Sequence, residues 1–250
     1  MISKIESKFL YKPSLKYVDF SLVGYNYQFI RIQTSDHIIL NGLLMESEQA
    51  EYYILYFGDN TGNISHQIDH IKKFCDNGFS VLAIDYRGYG KSDGSPSEDG
   101  LYEDASSAYQ YLTKQRGINS EKIIILGRSL GGAIAIELAT RVPAKSLIVE
   151  SSFISLHELQ RDRMPFIPLW IILPNRYNSL DRISKIGIPI LFLHGEMDSS
   201  IPLRHSTILF GAATTSRSKQ MIILRGSDHY NTFQNADYIY YIATFMDGIK

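Results

Sequence analysis

Short apolar runs alternate with amphipathic segments along most of this chain. The apolar runs are rich in β-branched and aromatic residues and have the length of buried strands, whereas the segments between them repeat apolar positions at helical spacing. Strands that alternate with helices predict an α/β fold, with a mainly parallel central sheet and helices on both of its faces. The pattern places strands at residues 27–32, 37–44, 52–57, 79–84, 122–126, 146–149, 189–193 and 220–224, and helices at residues 65–77, 98–115, 130–140, 202–210 and 235–246.

A serine lies where one predicted strand turns into a helix. Residues 123–136 have the pattern of a strand, a sharp turn and a helix, with Gly127, Ser129 and Gly131 at the turn. This Gly-x-Ser-x-Gly arrangement pushes the serine hydroxyl out of the sheet, and the glycines leave room where backbone segments crowd together. The N-terminus of the following helix favours a developing negative charge. Ser129 is therefore the predicted nucleophile.

A serine hydroxyl becomes a good nucleophile when a base takes its proton and an acid orients the base. With a Gly-x-Ser-x-Gly turn of this kind, the order along the chain is serine, acid, histidine. Asp198 follows one predicted strand within the spacing His-Gly-x-x-Asp, and His229 follows the last strand. We predict that His229 is the base and Asp198 its acid, with Glu196 and Asp228 as alternative acids. His194 is expected to support the loop that carries Asp198.

Two backbone N–H groups are needed to stabilise the oxyanion of an acyl-transfer intermediate. The residue after the nucleophile, here Leu130, supplies one of them. The loop after the strand at 52–57 is expected to supply the other from Asn60, with Asp59 and Thr61 as alternatives. The Asp59 carboxylate brings negative charge to this loop, and a carboxylate that points inward opposes an oxyanion.

Composition narrows the classes of function. The chain has 250 residues, 44% of them hydrophobic, and a formal net charge of −1, so we expect no nucleic-acid partner. Its single cysteine, Cys75, excludes an internal disulfide. His66 and His70 have the spacing of two ligands on a helix face, but no third ligand accompanies them. We therefore expect neither a metal nor a cofactor.

Hydropathy predicts no membrane segment. Residues 1–20 alternate charged and aromatic positions and lack the apolar core of a secretion signal. The longest apolar run, 164–173, is too short to cross a bilayer. A cytoplasmic protein is the expectation, and nothing in the pattern favours one oligomeric state.

Several segments are similar to those of a known family. The loop at 85–92, the segment at 100–104 and the turn at 127–132 resemble the Bem46-like subfamily of α/β-hydrolases and related ABHD-type serine hydrolases. The resemblance covers nearly the whole chain from about Phe9. It implies an α/β-hydrolase fold and serine hydrolase activity on ester, thioester or amide bonds, and depalmitoylation is known in one branch. The chain departs from the family at 58–60, where Gly-Asp-Asn replaces the usual His-Gly-Asn.

Charged residues near these motifs have structural explanations. Asp85 and Arg87 are expected to fasten the loop that follows the strand at 79–84. Arg128, inside the nucleophile turn, is expected to pair with a carboxylate such as Glu150.

Residues 151–185 break the alternation of strands and helices, because they are rich in aromatic residues and prolines. The apolar run at 164–173 contains two prolines, and each costs about 3 kcal/mol inside a helix. We expect one domain over 1–250 with a small cap at 151–185, in which Phe166 and Trp170 contact the acyl part of a substrate. The alternative is a core helix packed on the sheet.

Together these features predict a serine hydrolase that cleaves carboxylic ester or thioester bonds of a small-molecule or acylated substrate through an acyl-enzyme. A peptidase-like hydrolase with the same three residues is one alternative. The other is a catalytically impaired protein of this fold that acts as a binding module.

The cap hypothesis predicts how one substitution changes chain-length preference. Trp170→Ala should lower kcat/KM more for an octanoyl ester than for an acetyl ester, by about 1–3 kcal/mol, the transfer free energy of a few methylenes. Steady-state kinetics with the two esters measure the difference. Equal losses for both, or a loss that a lower Tm explains, would favour the core helix.

Overall fold

A computed structural model of the protein describes residues 10–163 and 176–250. Its chain groups into two compact units, Met1–Ile125 and Leu126–Lys250. Phe166 and Trp170 lie outside the described residues, so their place in a cap stays a prediction. Within the described ranges, no helix has both the length and the apolar character needed to cross a bilayer.

Pairing of strands in the first unit is both parallel and antiparallel. Its strands are β1 (Lys12–Pro13), β2 (Asn26–Gln33), β3 (Ile39–Glu46), β4 (Tyr53–Phe57), β5 (Thr61–Gly62) and β6 (Ser80–Ile84). They lie in the order β4-β6-β3-β2, with β4 and β6 parallel and the other two pairs antiparallel. The predicted hairpin of β2 and β3 is confirmed. The short parallel pair of β1 and β5 was not predicted, because two residues carry no periodicity.

Capping side chains mark the start of some, but not all, helices of the first unit. Their bounds are Ile64–Gln67 (3₁₀), α1 (Ile68–Asp76), α2 (Glu98–Gln110), the π-helical extension Tyr111–Gln115 and Ser120–Lys122 (3₁₀). The side chain of Ser97 accepts a hydrogen bond from the N–H of Gly100 and so caps α2, and acidic residues in the first turn of α2 favour the positive end of the helix dipole. One face of α1 is buried and packs against β6.

Buried carboxylates fasten the loop that follows β6. The Asp85 carboxylate accepts a hydrogen bond from the N–H of Ile64 at 2.8 Å. Asp104 is fully buried and accepts from both the N–H and the Nε of Arg87, each at 2.8 Å. Burial raises the pKa of Asp104 to about 6, although its contacts with Arg87 oppose the rise. Arg87 also pairs with Asp36 at 2.7 Å, so this arginine joins two segments to the loop, as expected.

Parallel pairing dominates the second unit. The chain enters it within β7 (Ile123–Arg128), and the further strands are β8 (Ser146–Glu150), β9 (Ile190–Gly195) and β10 (Lys219–Leu224). They lie in the order β10-β9-β8-β7, and β8, β9 and β10 pair in parallel. Residues of β7, β8 and β9 are all buried. Their carboxyl ends therefore project loops from a rigid core.

The second unit contains the three predicted helices and, among the described residues of 151–185, two further helices. They are α3 (Leu130–Ala139), α4 (Leu156–Arg163), α5 (Leu180–Ile183), α6 (Arg204–Ala212) and α7 (Tyr238–Asp247), with a 3₁₀ turn at Thr232–Gln234. All predicted strands and helices are present within a few residues of their expected bounds, and the α/β class is confirmed. Helices α4 and α5 were not predicted, because the charged and polar residues of α4 give a weak apolar face and α5 has only four residues.

Because Arg87 pairs with a buried carboxylate, its loss should destabilise the fold far more than the loss of a partly exposed arginine. Arg87→Met should lower the free energy of unfolding by about 3–5 kcal/mol, because it leaves the Asp104 carboxylate buried without its cation. Arg116→Met, which removes the partly exposed pair with Glu46, should cost about 1 kcal/mol or less. Urea unfolding of the two variants measures the difference. Similar losses for both would show that Asp104 is stable without Arg87.

Candidate active site

The turn between β7 and α3 holds Ser129 in an unusual backbone conformation. Its φ of 56° and ψ of −119° lie outside the regions that residues with a side chain prefer. The Ser129 N–H donates to the Glu150 carbonyl at 2.9 Å, and the Ser129 carbonyl accepts from the Gly132 N–H at 3.0 Å and from the Ser152 hydroxyl at 2.8 Å. These contacts hold the serine at the N-terminus of α3, as the sequence pattern predicted.

Close approach of the backbone explains the glycines of this turn. A Cβ at position 127 would lie 2.1 Å from the Gly131 carbonyl oxygen, which is backbone and has no freedom to swing away. A Cβ at position 132 would lie 2.4 Å from the Cβ of Ser152. Neither distance is compatible with van der Waals contact, so both positions require glycine.

Three predicted residues from three loops meet in the second unit. His229 Nδ1 lies 2.7 Å from Asp198 Oδ2, and His229 Nε2 lies 3.2 Å from Ser129 Oγ. A carboxylate only accepts hydrogen bonds, so Nδ1 carries the proton and Nε2 presents its lone pair to the serine hydroxyl. All three residues are buried, with exposed fractions of 6–7%. The arrangement is that of a nucleophile, a base and an orienting acid.

His229 and neighbouring backbone N–H groups keep Asp198 ionised. Its Oδ1 accepts from the N–H of Ser200 at 2.9 Å and from that of Ile201 at 2.7 Å. Burial acts to raise the pKa of Asp198, but the hydrogen bonds and charge of its partners, above all His229, hold the pKa below its ordinary value. The carboxylate is therefore available to orient the imidazole and to stabilise its positive charge.

His194 supports the loop that carries Asp198. Its Nε2 donates to the Ile201 carbonyl at 2.9 Å, and its Nδ1 lies 2.7 Å from the Ser206 hydroxyl. Burial lowers the pKa of His194, which fits a neutral ring that accepts from Ser206. Nε2 also lies 3.5 Å from Asp198 Oδ2. These contacts agree with the expected supporting role.

The alternative acids have other partners. Glu196 accepts a hydrogen bond from the N–H of Gly226 at 3.1 Å. Asp228 accepts from the N–H groups of Tyr230 and Asn231 at 2.7 and 3.0 Å, within its own turn. The structure therefore pairs the histidine with Asp198. Across the described residues, no group of three or more potential metal ligands is present.

Within the first unit, the loop after β4 is held by its own side chains. Asp59 Oδ1 accepts from the N–H of Thr61 at 2.9 Å and from its hydroxyl at 2.7 Å. The Asn60 side chain donates to the Leu10 carbonyl, and the Asn60 carbonyl accepts from the Tyr89 hydroxyl at 3.0 Å. Because the Thr61 N–H already donates to Asp59, it is less available as an oxyanion donor. Leu130 and Asn60 stay predictions for this role.

A buried cluster beside the nucleophile extends beyond the expected pair. Arg128 Nε lies 3.5 Å from Glu150 Oε1, which agrees with the pairing predicted from the sequence. The carboxylate also accepts from the hydroxyls of Thr232 and Tyr238. Sequence reasoning missed these two residues, because a hydroxyl far along the chain carries no local sign of its partner.

One family profile and two relatives match long stretches of this chain. A profile of the serine aminopeptidase family S33 matches residues 57–180. The protein bem46 of Schizosaccharomyces pombe is 34% identical over 229 residues, which cover 88% of this chain and 76% of that protein. The α/β-hydrolase domain-containing protein WAV2 of Arabidopsis thaliana is 29% identical over 235 residues, which cover 86% of this chain and 76% of that protein.

A solved structure agrees with the fold over most of the chain. An esterase from Pyrococcus furiosus superposes with a TM-score of 0.81 at 18% sequence identity, covering 96% of this chain and 98% of that one. At this identity the likeness concerns the fold alone.

Substitution of glycine by alanine should have opposite effects on the free energy of unfolding in the crowded turn and in helix α6. Gly127→Ala should lower the free energy of unfolding by about 3 kcal/mol, the upper end of the cost of overpacking, because backbone must move to admit the methyl group. Gly211→Ala in α6 meets open space and should raise it by about 0.5–1 kcal/mol through helix propensity. Thermal and urea unfolding report both. A neutral Gly127→Ala would contradict the tight turn.

Proposed function

Because the chain belongs to the Bem46-like family of α/β-hydrolases, we propose that it is a serine hydrolase of carboxylic ester or thioester bonds. One observation carries the proposal, the pair of hydrogen bonds that links Ser129 through His229 to Asp198. The distances of 3.2 and 2.7 Å are within the reach that proton transfer requires. Family and fold support the coarser statement, that the protein is a hydrolase.

Acylation begins when the Ser129 oxygen attacks the acyl carbon of the substrate. His229 Nε2 takes the hydroxyl proton as the new bond forms, and Asp198 stabilises the imidazolium. The imidazolium then protonates the leaving alcohol or thiol as the tetrahedral intermediate collapses. The products of this half-reaction are an acyl-enzyme on Ser129 and the free leaving group.

Deacylation repeats the same proton transfers with water. His229 takes a proton from water as the water oxygen attacks the acyl carbon, and it returns that proton to Ser129 Oγ when the ester bond breaks. In both halves negative charge develops on the carbonyl oxygen. We assign the N–H of Leu130, at the start of α3, to this oxyanion, and the N–H of Asn60 as its second donor.

Two observations bear on the class of substrate. The solved structure that superposes over nearly the whole of both chains is described as an esterase, which favours esters, and by the same acyl chemistry thioesters, of small-molecule or acylated substrates. A peptidase is the second candidate, because the matching profile is described as that of a serine aminopeptidase family. The two candidates share the nucleophile, so only substrates discriminate between them.

Activity and labelling at one serine test the proposal. The wild-type protein should hydrolyse p-nitrophenyl acetate and carry a fluorophosphonate adduct on Ser129, whereas Ser129→Ala should lose both. Asp198→Asn should lower kcat by a factor on the order of 10⁴, because the amide favours the wrong histidine tautomer. Ser216→Ala, which removes a hydroxyl hydrogen-bonded to the Ile188 carbonyl, is the control and should behave as wild type.

Each failure has its own meaning. An adduct on another serine would refute the assignment of the nucleophile. Full activity of Asp198→Asn would move the acid to another carboxylate. Faster cleavage of aminoacyl p-nitroanilides than of esters would select the peptidase, and absence of both turnover and labelling would select the impaired binding module.

A further inference from the structure

A fully buried carboxylate connects the two loops that carry Ser129 and His229. Glu150 ends β8, and its side chain is fully buried. Its Oε2 accepts from the Tyr238 hydroxyl at 2.6 Å, and its Oε1 accepts from the Thr232 hydroxyl. Its main-chain carbonyl accepts from the N–H of Ser129 at 2.9 Å. One residue therefore contacts the nucleophile turn through its backbone and, through its side chain, the histidine loop, which comprises residues 229–238.

Arg128 makes the complementary connection. Its guanidinium approaches Glu150 Oε1 at 3.5 Å through Nε, and its Nη2 donates to the main-chain carbonyl of His229 at 2.6 Å. The arginine side chain is only 5% exposed. Arg128 directly precedes the nucleophile, so it ties the turn at Ser129 to the backbone of the base itself.

A need for stability alone does not explain a charged pair at this place. Burying two charges costs solvation that their attraction only partly returns, and an apolar pair of similar volume is often as stable. Arginine and glutamate do supply directional donors and acceptors, which apolar side chains lack. The pair is also neutral as a whole, so it fixes the histidine loop without adding a net charge beside the imidazolium that forms during the reaction.

We propose that Arg128 and Glu150, with Thr232 and Tyr238, are positioning residues that set the approach of His229 to Ser129. This inference rests on the proposed hydrolase activity. The Nε2 to Oγ distance of 3.2 Å is at the long end of hydrogen-bond reach, so a small shift of the histidine loop breaks the contact. Misplacement of a reacting group by about 1 Å costs up to roughly 100-fold in rate.

Removing single hydroxyls tests the proposal with little risk to folding. Tyr238→Phe and Thr232→Val each delete one hydrogen bond to Glu150 and keep the shape of the side chain. Each should lower kcat on p-nitrophenyl acetate and the rate of fluorophosphonate labelling by roughly 10- to 100-fold, with KM within about twofold of wild type. Ser146→Ala is the matched control, because it removes a buried hydroxyl at the opposite end of β8, where Ser146 contacts Met246.

Arg128→Lys provides an independent variant of the same cluster. Lysine keeps the positive charge near Glu150 but lacks the planar fork that reaches the carboxylate and the His229 carbonyl together. We expect a similar loss of kcat, with the melting temperature measured alongside so that assays are run where every variant is folded.

A double-variant cycle separates positioning of the histidine from a general effect on the fold. In a His229→Ala background, where no imidazole remains to be positioned, Tyr238→Phe should cause no further loss of the residual rate. An equal fold-loss with and without His229 would overturn the proposal, as would wild-type kcat in Tyr238→Phe, Thr232→Val and Arg128→Lys. Wild-type protein that neither turns over ester nor labels at Ser129 would instead refute the proposed function, and the positioning role with it.

Discussion

The backbone of Ser129 is the constraint from which the arrangement around it follows. Its dihedral angles lie in a sparsely populated region, which costs on the order of 1–3 kcal/mol, and persist because the surroundings over-determine them. Hydrogen bonds with Glu150, Gly132 and Ser152 hold the Ser129 N–H and carbonyl in place. The start of α3 lies so close to the turn that a Cβ at position 127 would overlap the Gly131 carbonyl. This backbone conformation places the Ser129 hydroxyl at the start of α3, 3.2 Å from His229 Nε2.

Buried carboxylates that accept hydrogen bonds from several donors are the second recurring element. Each is surrounded by donors, because a buried charge without partners is strongly unfavourable. Asp198 accepts from two backbone N–H groups and from His229, and Glu150 accepts from two hydroxyls beside Arg128. In the first unit, Asp104 is held by Arg87 in the same way. Pairing that satisfies a charge thereby also fixes the loop that supplies the donors.

The loop after β4 shows how a departure from the family pattern is accommodated. The sequence suggested that an Asp59 carboxylate that points inward opposes an oxyanion. In the structure Oδ1 of this carboxylate accepts two hydrogen bonds from Thr61, which hold it within its own loop. The residue therefore acts on the shape of the loop as well as on its charge. A hydrolase with this substitution is consistent with the contacts of the first unit.

Sequence by itself determined the alternation of elements, the nucleophile turn and the order of serine, acid and histidine, because periodicity and short-range spacing encode local structure directly. It also pointed to Asp198 over Glu196 from a five-residue motif, and the hydrogen bond to His229 agrees. Only the tertiary structure decided that Thr232 and Tyr238 meet Glu150, which precedes them by more than 80 residues. Partners that distant are chosen by the packing of strands and helices, and a hydroxyl in a sequence carries no sign of the buried charge it will satisfy.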